Sequence, residues 1–199
     1  GAALAAQAPP EVPEAVLREV QAAQESLSRA IAEFEGPQQS RSIVGLDETI
    51  ARLEALDPRA RPPRVRDILV EAYEYRGRAY FGIGLSEKAS ENFRQLVQLK
   101  PDHVIPKEKA SPKVVELFNS VKRSLVGYLA VSSKPAGAQV VLVGAGGART
   151  DLGMTDFFPV EVLAGEHAVE VSRPGYPTET RQVSIVARAQ ESLDVPLTR

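Results

Sequence analysis

The hydrophobic period of this chain changes once, and that change constrains its fold more than any other feature. Up to about Lys122 the apolar residues recur at spacings of three and four, as on amphipathic helices. From Gly127 onward they alternate in short runs bounded by glycine, proline, serine or aspartate, as in half-buried strands. One period cannot serve the other kind of element, so the chain is expected to form two packed units of different class. The fold class that follows is α+β with two domains. A helix-hairpin bundle is expected over residues 11–126, and a small antiparallel β-sandwich over residues 127–199. At 199 residues and 43% hydrophobic content, the chain is long enough to give each unit an ordinary core.

Within the helical half, Val16, Leu17, Val20, Ala23, Leu27, Ala30, Ile31 and Phe34 predict one long helix, closed by Gly36 and Pro37. Ile43, Leu46, Ile50, Leu53 and Leu56 predict a second that runs to Pro58, although Gly45 weakens its first turn. Tyr73, Gly77 and Tyr80 share a face of a third, and Ala89, Phe93 and Leu96 share a face of a fourth. Gly82 and Gly84 make the turn between them, and Pro101 stops the fourth helix. Gly77 and Ala89 are small enough to let two antiparallel helices approach closely. Ser111 and Pro112 read as a helix start, serine at the cap and proline at the first helical position, with Val114, Val115, Phe118, Val121 and Leu125 as the apolar stripe. Between the second and third helices, Arg59, Arg61, Arg64 and Arg66 lie on a proline-stiffened connector that is either a solvated spacer or a contact for an acidic partner.

The order of small, aromatic, alanine, aromatic and proline residues over 70–103 resembles a tetratricopeptide repeat, with Tyr73 where tryptophan is common and Arg76 where leucine is common. Residues 30–58 read as a weak earlier copy. The resemblance implies peptide binding or assembly on a concave helical face. In its register Glu71, Glu74, Arg78 and Phe81 point to that face and are the candidate partner-binding residues.

In the second half, the apolar alternation falls on six runs: Leu129 and Val131; Val140 and Leu142; Val160 and Val162; Val169 and Val171; Val183 and Ile185; Leu193, Val195 and Leu197. Gly137, Gly165 and Gly175 stand where tight turns require positive φ. The opening of this half, through Lys134, Pro135, Ala136, Gly137 and Ala138, resembles the PEGA domain, with Ala136 in the usual place of glutamate. Leu152, Gly153, Met154 and Thr155, then Ala164 to His167, then Pro174, Gly175 and Tyr176 agree with that family's turns and strand ends. Asp156 replaces an expected proline, and residues 144–151 form a longer glycine-rich connection, expected to be mobile. The resemblance implies an extracytoplasmic accessory domain.

Several kinds of chemistry are disfavoured. A net charge of -2 does not suit a nucleic-acid binder, which needs a basic face to neutralise phosphates. The absence of cysteine removes disulfides, thiolate metal sites and cysteine nucleophiles. His103 and His167 lack a second histidine at ligand spacing, so no metal or cofactor is expected. The glycines at 144, 146 and 147 lack the lysine and following helix of a phosphate loop, and no nucleophile elbow is present. Nothing approaches the length of a membrane span. Residues 1–10 carry small residues in Ala-x-Ala order, and are expected to be either disordered or the remnant of a signal peptide.

The function expected from these features is noncatalytic. It is a protein–protein interaction or scaffold protein of the bacterial cell envelope, periplasmic or otherwise extracytoplasmic. The helices would bind a protein or peptide, or self-assemble, and the β domain would anchor or space them. The alternative is a carbohydrate- or peptidoglycan-binding accessory or sensory module of an envelope enzyme complex. A cytoplasmic adaptor would require the export signal to be absent.

Overall fold

A computed structural model describes residues 12–37 and 39–198. The expectation for residues 1–10 lies outside the described residues. Five helices precede seven strands: α1 (Glu14–Glu35), α2 (Ser42–Glu54), α3 (Arg64–Gly82), α4 (Ser86–Leu99) and α5 (Pro112–Leu125), then β1 (Val126–Lys134), β2 (Gln139–Gly144), β3 (Arg149–Met154), β4 (Val160–Leu163), β5 (Gly165–Ser172), β6 (Glu179–Ile185) and β7 (Gln190–Pro196). The protein is α+β, with its helices in the N-terminal region and two sheets following them in the chain. The last helix passes into the first strand without a loop, since α5 ends at Leu125 and β1 begins at Val126. The chain divides into two compact units, 1–92 and 93–199, so the boundary falls inside α4 rather than at the change of secondary structure.

In the first unit, α1 lies on α2 and α2 on α3. Ala23, Leu27, Leu46 and Leu53 are fully buried between these helices, as the three-and-four spacing requires. Gly45, which costs α2 helix propensity, stands where α1 comes close: a Cβ there would lie 3.0 Å from that of Ala30. Ser26 Oγ donates to the Gly45 carbonyl at 3.2 Å, and Thr49 Oγ1 donates to the same oxygen at 2.8 Å. The α3–α4 turn closes as a Schellman motif, with Leu85 N donating to Tyr80 O, Gly84 N to Phe81 O, and Gly84 at φ +81. Asn92 Oδ1 then accepts from Arg76 Nε at 2.6 Å, tying the start of α4 to α3.

In the second unit, Phe93 meets Phe118 edge to face at 5.6 Å, joining the end of α4 to α5. Ser111 caps α5 by accepting from Val114 N. The sandwich has one sheet in the order β4-β1-β7 and another in the order β3-β2-β5-β6. Leu129, Val131, Val140, Leu142, Val169 and Val171 alternate inward to form its core. Two features depart from the expected antiparallel sheets of six runs. β7 lies parallel to β1, with Val131 opposite Leu193, so that sheet is mixed. A seventh strand, β3, forms from the glycine-rich connection and its sequel, and pairs with β2 across a closed turn in which Gly144 N donates to Ala148 O. β3 carries almost no apolar alternation because it is an edge strand with mostly exposed residues.

Candidate functional site

The four residues expected on a concave helical face differ in exposure. Glu74 and Arg78 stand one turn apart on α3 and pair at 3.1 Å, with side chains only 11% and 10% exposed. The Arg78 guanidinium sits 4.8 Å from the ring centres of both Phe34 and Tyr75, which meet each other edge to face at 5.2 Å. Burial pushes the Tyr75 phenol above its ordinary value, against the opposing pull of Arg78. Phe34, from the end of α1, and Tyr75 thus both pack against the Arg78 guanidinium. Glu74 and Arg78 are largely buried in the packing of the bundle. Glu71 is exposed and Phe81 is partly exposed.

The arginines of the connector separate in the same way. Arg61 donates to the carbonyls of Glu54 and Leu56 at the end of α2, where helical carbonyls lack partners of their own. Arg64 reaches Gln24 on α1, while Arg59 and Arg66 are exposed. On α3, the Tyr73 hydroxyl donates to Glu54, and burial together with that carboxylate pushes the phenol well above its ordinary value.

A further concavity lies on the second unit, along α5. A groove of about 450 Å³ runs past Lys107, Val115, Glu116, Asn119 and Arg123. Sharing Asn119 and Arg123 with it, a second hollow of about 400 Å³ continues past Lys122, Tyr128, Glu161 and Arg188. Lys122 is 7% exposed and donates to the His103 carbonyl at 2.9 Å and to Glu161 Oε2 at 2.5 Å. Its charge is thus answered by Glu161. Arg188 stands on the β6–β7 turn in the left-handed region, at φ +67, with its N–H donating to Val126 O and its Nε to Arg123 O. The turn presses against Gly127, where a Cβ would lie 2.4 Å from Val186 O. Sequence reasoning had no pattern to find this groove, because α5, β4 and the β6–β7 turn are far apart in the chain.

Neither histidine gathers a site. His167 Nε2 bonds the Leu163 carbonyl at 2.8 Å, and its Nδ1 is buried without a hydrogen-bond partner beside Gly144. His103 lies edge to face with Phe118. Among the described residues no group of three or more histidines or carboxylates is placed to hold a metal ion.

The sandwich has its tight turns where the sequence marks them, with Gly137 at φ +77, Gly165 at +129 and Gly175 at +84. Residues 126–199 match the family model of the PEGA domain. The PEGA match begins at the first residue of β1 and takes in the whole sandwich. It includes Tyr128, Glu161 and Arg188 but not α5, so the groove is built jointly by the PEGA-matching region and the helix that leads into it. No curated protein matches the chain. No family match supports the tetratricopeptide resemblance of residues 70–103. Among the described residues no helix is long and apolar enough to cross a membrane.

Proposed function

We propose that the chain is a noncatalytic interaction and assembly protein of the bacterial cell envelope. In this reading the helical part engages protein and the PEGA-matching sandwich carries or spaces it. The observation that carries it is the PEGA match over residues 126–199, which favours an extracytoplasmic setting, joined without a loop to a helical region. Side-chain chemistry points the same way. The carboxylates of Glu54, Glu74, Glu161 and Glu170 are each taken up by a structural partner, respectively Tyr73, Arg78, Lys122 and Arg149. Such pairs hold a framework together, as a binding scaffold requires.

The test is affinity capture by the full chain from a bacterial envelope fraction, run beside binding to purified cell-wall glycan. A saturable protein partner is the expected result. Binding to glycan alone would replace this reading with that of a carbohydrate-binding accessory module.

A further inference from the structure

The groove along α5 combines exposed cations from separate parts of the chain. Of the charged residues that line it, Lys122 and Glu161 answer each other, which leaves Lys107, Arg123 and Arg188 against Glu116. Among the described residues neither Arg123 nor Arg188 has an ion-pair partner, although the protein as a whole carries a net charge of -2. The two guanidiniums come from different elements, α5 and the β6–β7 turn; Arg188 Nε bonds the Arg123 backbone carbonyl, and both residues line the same hollow. Arg188 holds this place at φ +67, a conformation that usually costs a side-chain-bearing residue energy. A glycine would meet the turn's backbone requirement more cheaply, so the arginine there is explained by its side chain rather than by the turn.

We propose that this groove binds an extended acidic peptide segment of a partner protein, with Arg123 and Arg188 taking its carboxylates. Guanidinium groups suit this task because they bond carboxylates in pairs through a planar fork. Asn119, between the two hollows, offers both a donor and an acceptor to a peptide backbone. The half-buried Val115 and the ring of Tyr128 supply apolar area. From Pro112 to Arg123, α5 rises roughly 16 Å, which an extended segment of about five residues spans. A peptide fits better than a sugar chain, since among the described residues Tyr128 is the one aromatic side chain lining the groove.

This inference rests on the interaction-protein reading and deepens it. The experiment uses the full chain and a fluorescein-labelled hexaglutamate peptide, followed by anisotropy at low and high salt. The expected result is saturable binding that weakens with salt and falls at least tenfold in the double variant Arg123→Ala, Arg188→Gly. Glycine suits the backbone at 188 and alanine suits a helix, so this variant keeps its fold. A second variant, Arg59→Ala with Arg66→Ala, removes the same charge from exposed positions on the connector and the first turn of α3, and should bind like the parent. Equal losses in the two variants, no binding at low salt, or binding of a soluble anionic glycan in place of the peptide would each overturn the proposal. If the chain captures an envelope protein while the groove variant does so equally well, the groove alone fails. If hexaglutamate binds as expected but no envelope protein is captured, the interaction-protein reading fails by itself.

Discussion

Gly45 and Ala30 face each other where α1 and α2 approach closely, and the 3.0 Å between Ala30 Cβ and a Cβ built on Gly45 leaves no room for a larger side chain. Gly45→Leu should therefore overpack the crossing and destabilise the helical unit by about 1–3 kcal/mol. Gly45→Ala should lie near neutral, because a gain of about 1 kcal/mol in helix propensity offsets the squeeze. Urea denaturation of both variants checks this, and a Leu variant as stable as the Ala variant would remove Gly45 from the contact.

Arg78→Met should destabilise the same unit by about 1–3 kcal/mol. It removes the guanidinium between Phe34 and Tyr75 and breaks its 3.1 Å ion pair with Glu74, which is 8% exposed. The readout is the denaturation midpoint. Combining it with Glu74→Gln should cost less than the sum of the two single changes, as for any coupled pair.

Gly127 admits no side chain for a different reason. A Cβ would stand 2.4 Å from Val186 O and 2.7 Å from Ile185 Cγ2, so Gly127→Ala must displace the β6–β7 turn. A loss of about 1–3 kcal/mol is expected. Faster amide exchange at Tyr128 and Arg188, whose N–H groups bond Ala189 O and Val126 O, should accompany it. Exchange at these amides unchanged from the parent would show that the turn yields without opening.

Lys122→Ala should cost about 1–3 kcal/mol, since it removes a nearly buried ammonium from both the His103 carbonyl and Glu161. Lys122→Met keeps the aliphatic stem and should recover part of the loss. Thermal melting separates the two, and identical losses would show that packing of the stem contributes nothing.

Arg149 holds Glu170 in a two-point pair at 2.9 and 2.6 Å, reaching from β3 across β2 to β5. The hydrogen bond from Arg149 lowers the Glu170 carboxyl below its ordinary value of 4.5. A carboxyl lowered on folding stabilises above its unfolded value and loses that contribution as pH falls through its folded one. The Tm gap between the parent and Glu170→Gln should therefore be present at neutral pH and close progressively below pH 4.5. Arg149 is exposed and Glu170 partly exposed, so the gap is small. A gap that persists in strong acid would assign it to something other than the charge pair.

The sequence by itself determined the elements and their inner faces. The three-and-four spacing of Ala23, Leu27, Leu46 and Leu53, and the alternation of Val140 with Leu142 or Val169 with Val171, reappear as buried residues. Ser111 with Pro112 marked the start of α5, and Gly137, Gly165 and Gly175 marked turns of positive φ. These are properties of short stretches, in which backbone geometry forces the period and the turn residue. β3 was harder to see because an edge strand buries too little to show alternation. Only the tertiary structure decided that β7 lies parallel to β1, that Gly45 and Gly127 are close approaches, that Phe34 packs against Arg78, and that Arg123 and Arg188 line the same hollow. Each of these depends on residues brought together from distant parts of the chain, and a local pattern carries no record of which element a face will meet.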